Sequence, residues 1–165
     1  MRFYCSDDTV DLEQYPYHVR DVHISDPFIL ADPKSRCYYT YVQFADTERF
    51  PDVEIDKENG VFYVLESKDL IHWSKPQICF RQNNFWADKD YWAPEVHIWK
   101  GRYYLFSSFR ADGHYRKCQC LVSDSPKGPF EPIRQEAVTP DGWQSLDGTL
   151  YVCLLYTSDA ADDRI

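Results

Sequence analysis

The sequence predicts an all-β chain built from repeated four-stranded units, and three observations predict it. Helical periodicity is nearly absent across the 165 residues. Short runs rich in Tyr, Val, Ile, Phe and Trp are cut by Asp, Gly, Pro and Ser, the pattern of strands joined by turns. The chain is also self-similar. Leu65-Glu66-Ser67-Lys68-Asp69, followed by His72-Trp73-Ser74-Lys75-Pro76, returns as Leu121-Val122-Ser123-Asp124-Ser125, followed by Pro129-Phe130-Glu131-Pro132, an offset of 56 residues.

Taken in order, strands are expected over residues 27–31, 37–44, 61–66, 94–99, 102–109, 117–123 and 149–152. Each copy of the repeat is preceded by an aromatic strand, Tyr38-Tyr39-Thr40-Tyr41 in the first and Tyr103-Tyr104-Leu105-Phe106 in the second. Before that strand comes a short opening and an apolar run: Asp26-Pro27-Phe28-Ile29-Leu30, then Ala93-Pro94-Glu95-Val96-His97-Ile98. A third opening stands at Asp147-Gly148-Thr149-Leu150-Tyr151. Four strand types recurring in fixed order are what a β-propeller blade requires. A β-sandwich would supply similar strands without the ordered repeat. Residues 1–152 are therefore read as a partial propeller of about two to two and a half blades. Residues 153–165 do not continue the third blade and resemble translated adaptor sequence, so they are set outside the fold.

Composition narrows the partners. A net charge of −9 argues against a nucleic-acid backbone or an anionic membrane surface, both of which need a basic patch. No apolar run is long enough to span a bilayer, and the first 25 residues lack the basic start and apolar stretch of a secretory signal. If Met1 is the true start this reads as cytoplasmic, and otherwise as secreted or periplasmic. The six cysteines are scattered; Cys118 and Cys120 point the same way on one strand, a poor disulfide geometry, so free thiols are expected. His18, His23, His72, His97 and His114 show no metal-ligand spacing, and no cofactor is expected. Aromatic residues make up 17% of the chain. Strand propensity accounts for most of them, but ring faces also pack on sugars, and Phe44, Trp86, Tyr91, Trp92, Phe109 and Trp143 are the candidates, with Trp92 preferred.

In a propeller the innermost strand of each blade lines a central channel, so the strand openings converge at one mouth. Aligning the three openings puts Asp26, Ala93 and Asp147 at one equivalent position. Two carboxylates and a small residue facing a shared pocket suit glycosidic hydrolysis, which needs a base to activate water and an acid to protonate the leaving oxygen. A further carboxylate can raise the acid's proton affinity by like-charge repulsion. Glu95 lies two residues past Ala93, on the same strand face but one layer deeper, and reads as a supporting, hydrogen-bonded carboxylate.

Several motifs carry a family resemblance. They are Ser25-Asp26-Pro27-Phe28-Ile29, Tyr38-Tyr39, the segment from Ser67 through Leu70 to Trp73, Trp92-Ala93-Pro94-Glu95-Val96, Gly101-Arg102-Tyr103-Tyr104, the segment from Ser123 to Phe130, and Trp143 to Asp147. In that order, over roughly residues 18–152, the chain resembles glycoside hydrolase family 43. The resemblance implies a five-bladed β-propeller and an inverting hydrolase of arabinose- or xylose-containing oligosaccharides and polysaccharides. By position Asp26 resembles the general base, Asp147 the residue that tunes the acid and orients the sugar, and Trp92 and Ala93 the lining of the subsite for the reacting sugar. Gly148 stands where the family usually has Pro. Some members hold calcium in the channel. Two alternatives remain open: a carbohydrate-binding propeller without catalysis, and a related propeller glycosidase or phosphorylase acting on another sugar.

No position here matches the family's general acid, a Glu further along. Without it the leaving group departs as an unprotonated alkoxide, and an unclosed ring leaves a blade face uncovered, which predicts poor solubility. The purified 165-residue chain is therefore expected to show no turnover of aryl arabinofuranosides or xylosides, measured as aryl release; release above background overturns that expectation.

Overall fold

A computed structural model describes residues 10–22, 24–43, 50, 53, 60–82 and 85–153. Among these residues there is no helix, and ten strands form two antiparallel sheets. The first sheet contains β1 (Tyr17–His18), β2 (Phe28–Asp32), β3 (Cys37–Val42), β4 (Val61–Ser67), β5 (His72–Trp73) and β6 (Gln77–Arg81). Its order is β1-β5-β4-β3-β2, with β6 also on β4. β5 and β6 share one edge of β4, Ser67 pairing with Trp73 and Val61 with Arg81, so together they form a broken fourth strand. The second sheet runs β10-β9-β8-β7, from β7 (Lys89–Trp99), β8 (Arg102–Arg110), β9 (Lys117–Ser123) and β10 (Glu131–Pro132). Each sheet is thus a meander of four successive strand positions, which is the blade plan that the repeat predicts.

The two blades pack face to face through one core. Tyr39, Tyr41, Phe62 and Val64 of the first blade meet Val96, Leu105, Phe109 and Leu121 of the second. Alternate residues of the same strands, Tyr38, Val42, Val61, Tyr63 and Leu65, face the other way and are covered by Tyr17, Val22, Ile24, Val53 and Leu70. Both faces of β3 and β4 are therefore buried, which explains why they read as unbroken aromatic and branched runs rather than alternating ones. Between the blades the rings of Phe62, Phe80, Phe85, Tyr91 and Phe109 form an edge-to-face mesh; Phe85 and Tyr91 each lie 4.9 Å from Phe109. Phe109 is fully buried there, so it is packing and not a sugar platform.

The structure differs from the sequence reading in three places. Among the described residues, 149–152 form no ladder; Thr149 meets the second blade through its side chain instead. β7 begins at Lys89 rather than at Pro94. Its register against β8 shifts twice, between Lys89 and Trp92 and between Trp92 and Glu95. In each step β7 advances three residues against two on β8, so a bulge interrupts the alternation that marks a strand in sequence. The short outer strands β1, β5, β6 and β10 also escape the pattern, since runs of 2 to 5 residues are too short to show a strand period. Cys37, Cys79, Cys118, Cys120 and Cys153 are free thiols; burial pushes the Cys120 thiol up to about 11.

Polar clamps lock the blades at the end of β2. Asp32 is 2% exposed and accepts hydrogen bonds from the backbone of Lys34 (3.0 Å) and Ser35 (3.1 Å) and from the Tyr103 hydroxyl (3.1 Å) of the second blade. Burial opposes its ionisation, but the bonds from Ser35, Lys34 and Tyr103 outweigh it and hold the carboxyl below its ordinary value. Burial and the Asp32 charge push the Tyr103 phenol up to about 12, so it remains a donor. Beside this, the Tyr41 hydroxyl donates to the Pro126 carbonyl at 2.8 Å, and Lys127 pairs with Glu66 at 2.7 Å. Burial also opposes ionisation of Glu66; the Lys127 and Tyr15 bonds prevail and its carboxyl too is lowered.

A carboxylate whose folded value is depressed adds stability above its unfolded value and loses it as pH falls towards the folded one. The denaturant midpoint is therefore expected to fall steadily below about pH 4, where Asp and Glu protonate in the unfolded chain. Asp32→Ala, which orphans several buried donors, should cost about 2 kcal/mol at pH 7 and flatten that acid limb. An acid limb of unchanged slope in the variant would show that Asp32 does not carry it.

Candidate functional site

The three aligned openings share one unusual backbone conformation. Asp26, Ala93 and Asp147 have φ of 49°, 48° and 50°. Non-glycine residues visit this left-handed region rarely, and alanine has no side-chain hydrogen bond to ease it. A matching turn at the start of each unit is what a structural repeat produces, and it sets the direction in which each opening presents its side chain.

Asp26 and Ala93 come together around one cavity of about 470 Å³, lined by Ser25, Asp26, Gln43, Tyr91, Trp92, Ala93 and Pro94. Asp26 is exposed and is the only carboxylate among the described lining residues. Trp92 is 44% exposed and stands between the two β7 bulges; its carbonyl accepts a hydrogen bond from Ser107 Oγ at 2.5 Å. The ring rests on the Arg116 guanidinium, whose carbon is 3.5 Å from the ring centroid. Tyr91 also lines the cavity, and its hydroxyl donates to the Ala87 carbonyl at 2.7 Å. Asp147 is exposed and does not line this cavity. Its N–H donates to Ser108 Oγ at 3.0 Å, and Gly148 beside it packs on Cys118.

One layer deeper, two residues past each opening, Phe28, Glu95 and Thr149 approach one another around His97. Thr149 Oγ1 donates to Glu95 Oε1 at 2.5 Å, Glu95 is bonded to His97 Nε2, and the Phe28 ring lies 5.6 Å from that of His97. First-blade, second-blade and third-opening residues thus meet at one axis. Glu95 belongs to this layer rather than to the cavity wall. Among the described residues no three His, Cys, Asp or Glu side chains gather to hold a metal ion. Nor is any described helix long and apolar enough to cross a membrane.

The remaining aromatic candidates separate by location. Trp86 is half-buried against Phe85 and Phe109, and Trp143 is 62% exposed away from the cavity. Phe44 and His23 lie outside the described residues. Sequence reasoning missed Gln43, Arg116 and the part played by His97. Gln43 follows only from the register: Phe28 pairs with Tyr41, so two residues further on Gln43 comes opposite Asp26. Nothing in sequence spacing points to Arg116 stacking under Trp92.

Three comparisons bear on this arrangement. The sequence profile of glycosyl hydrolases family 43 matches residues 18–153. An endo-arabinase structure from Bacteroides thetaiotaomicron is similar at 40% identity and a TM-score of 0.71, over 83% of this chain and 44% of that one. A thermostable family-43 glycoside hydrolase gives 27% identity and a TM-score of 0.63, over 79% of this chain and 38% of that one. Xylosidase/arabinosidase 43A of Humicola insolens is 33% identical over 72 residues, which is 41% of this chain and 22% of the relative. The chain thus spans less than half the length of these relatives.

The cavity wall depends on a close approach. A Cβ on Gly60 would stand 2.1 Å from the Tyr91 ring, so no side chain fits there while Tyr91 keeps its place. Gly60→Ala is expected to destabilise the fold by about 1–3 kcal/mol, the range for overpacking, and to change the near-ultraviolet circular dichroism of the aromatic mesh. An unchanged spectrum and denaturant midpoint would show that Tyr91 is not held against residue 60.

Proposed function

Because the chain belongs to glycosyl hydrolases family 43, we propose that it supplies the base side of an inverting hydrolytic site for arabinose- or xylose-containing glycans. The observation that carries this is the single cavity shared by Asp26, Trp92 and Ala93, at the mouth of the openings. The role of each residue follows from its setting. Asp26, exposed to solvent and free of any ion pair among those observed, takes the proton from a water that attacks the anomeric carbon. Trp92 offers a ring face to the apolar face of the sugar, and Ala93, without a longer side chain, leaves room for the ring. Glu95, tied to Thr149 and His97, positions the third opening and does not touch substrate. Asp147, at the same left-handed turn as Asp26, orients the sugar and tunes the acid from the neighbouring opening.

Inversion needs an acid roughly 6.5–9.5 Å from the base, with the water between base and sugar. Asp26 is alone among the described lining carboxylates, so protonation of the leaving oxygen falls to a group not among them. The likeness to an endo-arabinase favours arabinan-type chains, and the likeness to a xylosidase/arabinosidase keeps xylose in the substrate class. Hydrolysis is favoured over phosphorolysis, since no Lys or Arg is among the described residues that line the cavity.

Binding separates positioning from chemistry. Isothermal titration with arabinotriose and xylotriose is expected to show that Trp92→Ala weakens binding at least about tenfold, equivalent to ~1.4 kcal/mol. Asp26→Asn, isosteric and placed to act on water, should bind within about threefold of the parent. Equal binding by the Trp92→Ala variant, or no binding by the parent, would defeat the sugar-site assignment.

A further inference from the structure

We propose that Arg116 is a positioning residue for the sugar platform, fixing the Trp92 ring in the orientation the cavity requires. The proposal deepens the glycan-site reading and rests on it for the identity of the ligand. The Arg116 side chain is only 13% exposed, and its guanidinium carbon lies 3.5 Å from the ring centroid of Trp92, a residue 44% exposed. One face of the ring is thus covered by a cation, well inside the distance at which a guanidinium and an indole attract. The other face is left for the cavity.

Arg116 is itself held. Its Nη2 donates to Asp90 Oδ2 at 2.6 Å, and the same oxygen receives Arg110 Nε at 2.6 Å. The Arg116 carbonyl accepts the Ser145 N–H at 2.9 Å, which anchors the residue to the approach of the third opening. Asp90 has φ of 53° and sits in the first β7 bulge, two residues before Trp92. The chain from Arg110 through Asp90 and Arg116 to Trp92 is therefore continuous, and it starts from the bulge that turns Trp92 out of the sheet.

One detail argues against a purely structural role. Among the described residues, Arg116 Nε is buried with no hydrogen-bond partner. An arginine present only to stabilise the fold would use that donor, because a buried unpaired donor opposes folding. The geometry instead gives up one bond to keep the guanidinium plane against the indole. Lysine, a point charge without a plane, would keep the attraction and lose the flat support.

The test uses the 165-residue chain and acrylamide quenching of tryptophan emission, with the Trp92 contribution taken as the difference from Trp92→Phe. Arg116→Met, which keeps the apolar stem, should expose the second ring face and raise the Trp92 quenching constant about twofold. It should also weaken xylotriose and arabinotriose about tenfold without lowering the thermal midpoint. Arg116→Lys should recover quenching protection in part and affinity by about half of that loss on a logarithmic scale. Should Arg116→Met fail to fold, Asp90→Asn, which frees the guanidinium but leaves it in place, should raise quenching in the same direction. Unchanged Trp92 quenching in the folded variants overturns the proposal, as does changed quenching with unchanged affinity in a parent that binds. Changed quenching in a chain that binds neither sugar supports the positioning contact and instead defeats the glycan assignment.

Discussion

Each of the three openings passes through a left-handed residue, and the rest of the site follows from that constraint. Asp26, Ala93 and Asp147 hold φ near 50°, a conformation that opposes folding by roughly 1–2 kcal/mol for an L-residue. Such strain persists only where neighbours over-determine it. The neighbours are visible: Ser107 holds the Trp92 carbonyl and Ser108 the Asp147 N–H, two adjacent hydroxyls of β8 gripping two different openings. Both serines are buried, so neither bond competes with water. The strand turn, the exposed Trp92 and the direction of Asp147 are in this sense one feature held by one strand.

That grip rests on how deeply β8 is packed. Its other residues, Tyr103, Leu105 and Phe109, are sunk in the core between the blades. The aromatic excess goes mainly here, in rings packed edge to face across the two sheets. The few rings that reach the cavity do so at its rim, where the β7 bulges break the alternation of inward and outward residues. Packing and function divide along the strand: the regular stretch from Glu95 to Trp99 builds the core and hub, and the irregular stretch from Lys89 to Pro94 builds the wall.

Legibility in the sequence follows the same division. β3 and β4 could be read because both faces are buried, which leaves an unbroken apolar run. The openings could be aligned because the repeat carried them, and their common φ shows that equivalent positions adopt equivalent turns. The start of β7 could not be read: Pro94 looks like the first residue of a strand, and a bulge has no sequence period. Gln43 and Arg116 could not be read either. The first depends on the exact β2–β3 register, and the second on which side of the indole a distant strand passes. Asp147 was placed by alignment alone, and the structure keeps it outside the cavity that Asp26 shares with Trp92 and Ala93.

The hub beneath the cavity shows why backbone position and side-chain environment need not coincide. Thr149 is bound to Glu95 and His97 on one side of Asp147, and Ser108 holds the Asp147 N–H on the other. The backbone at Asp147 is thus fixed at two points on the second blade, while its carboxylate stands exposed. At Asp26 the balance is similar, with Pro27 and the β2–β3 ladder on one side and open cavity on the other. Removing the Glu95 carboxylate would leave both Thr149 and His97 without their shared acceptor, in a layer where Phe28 offers no replacement. A polar tie therefore does what an apolar contact could not: it holds the third opening to the second blade through directed bonds on either side of Asp147.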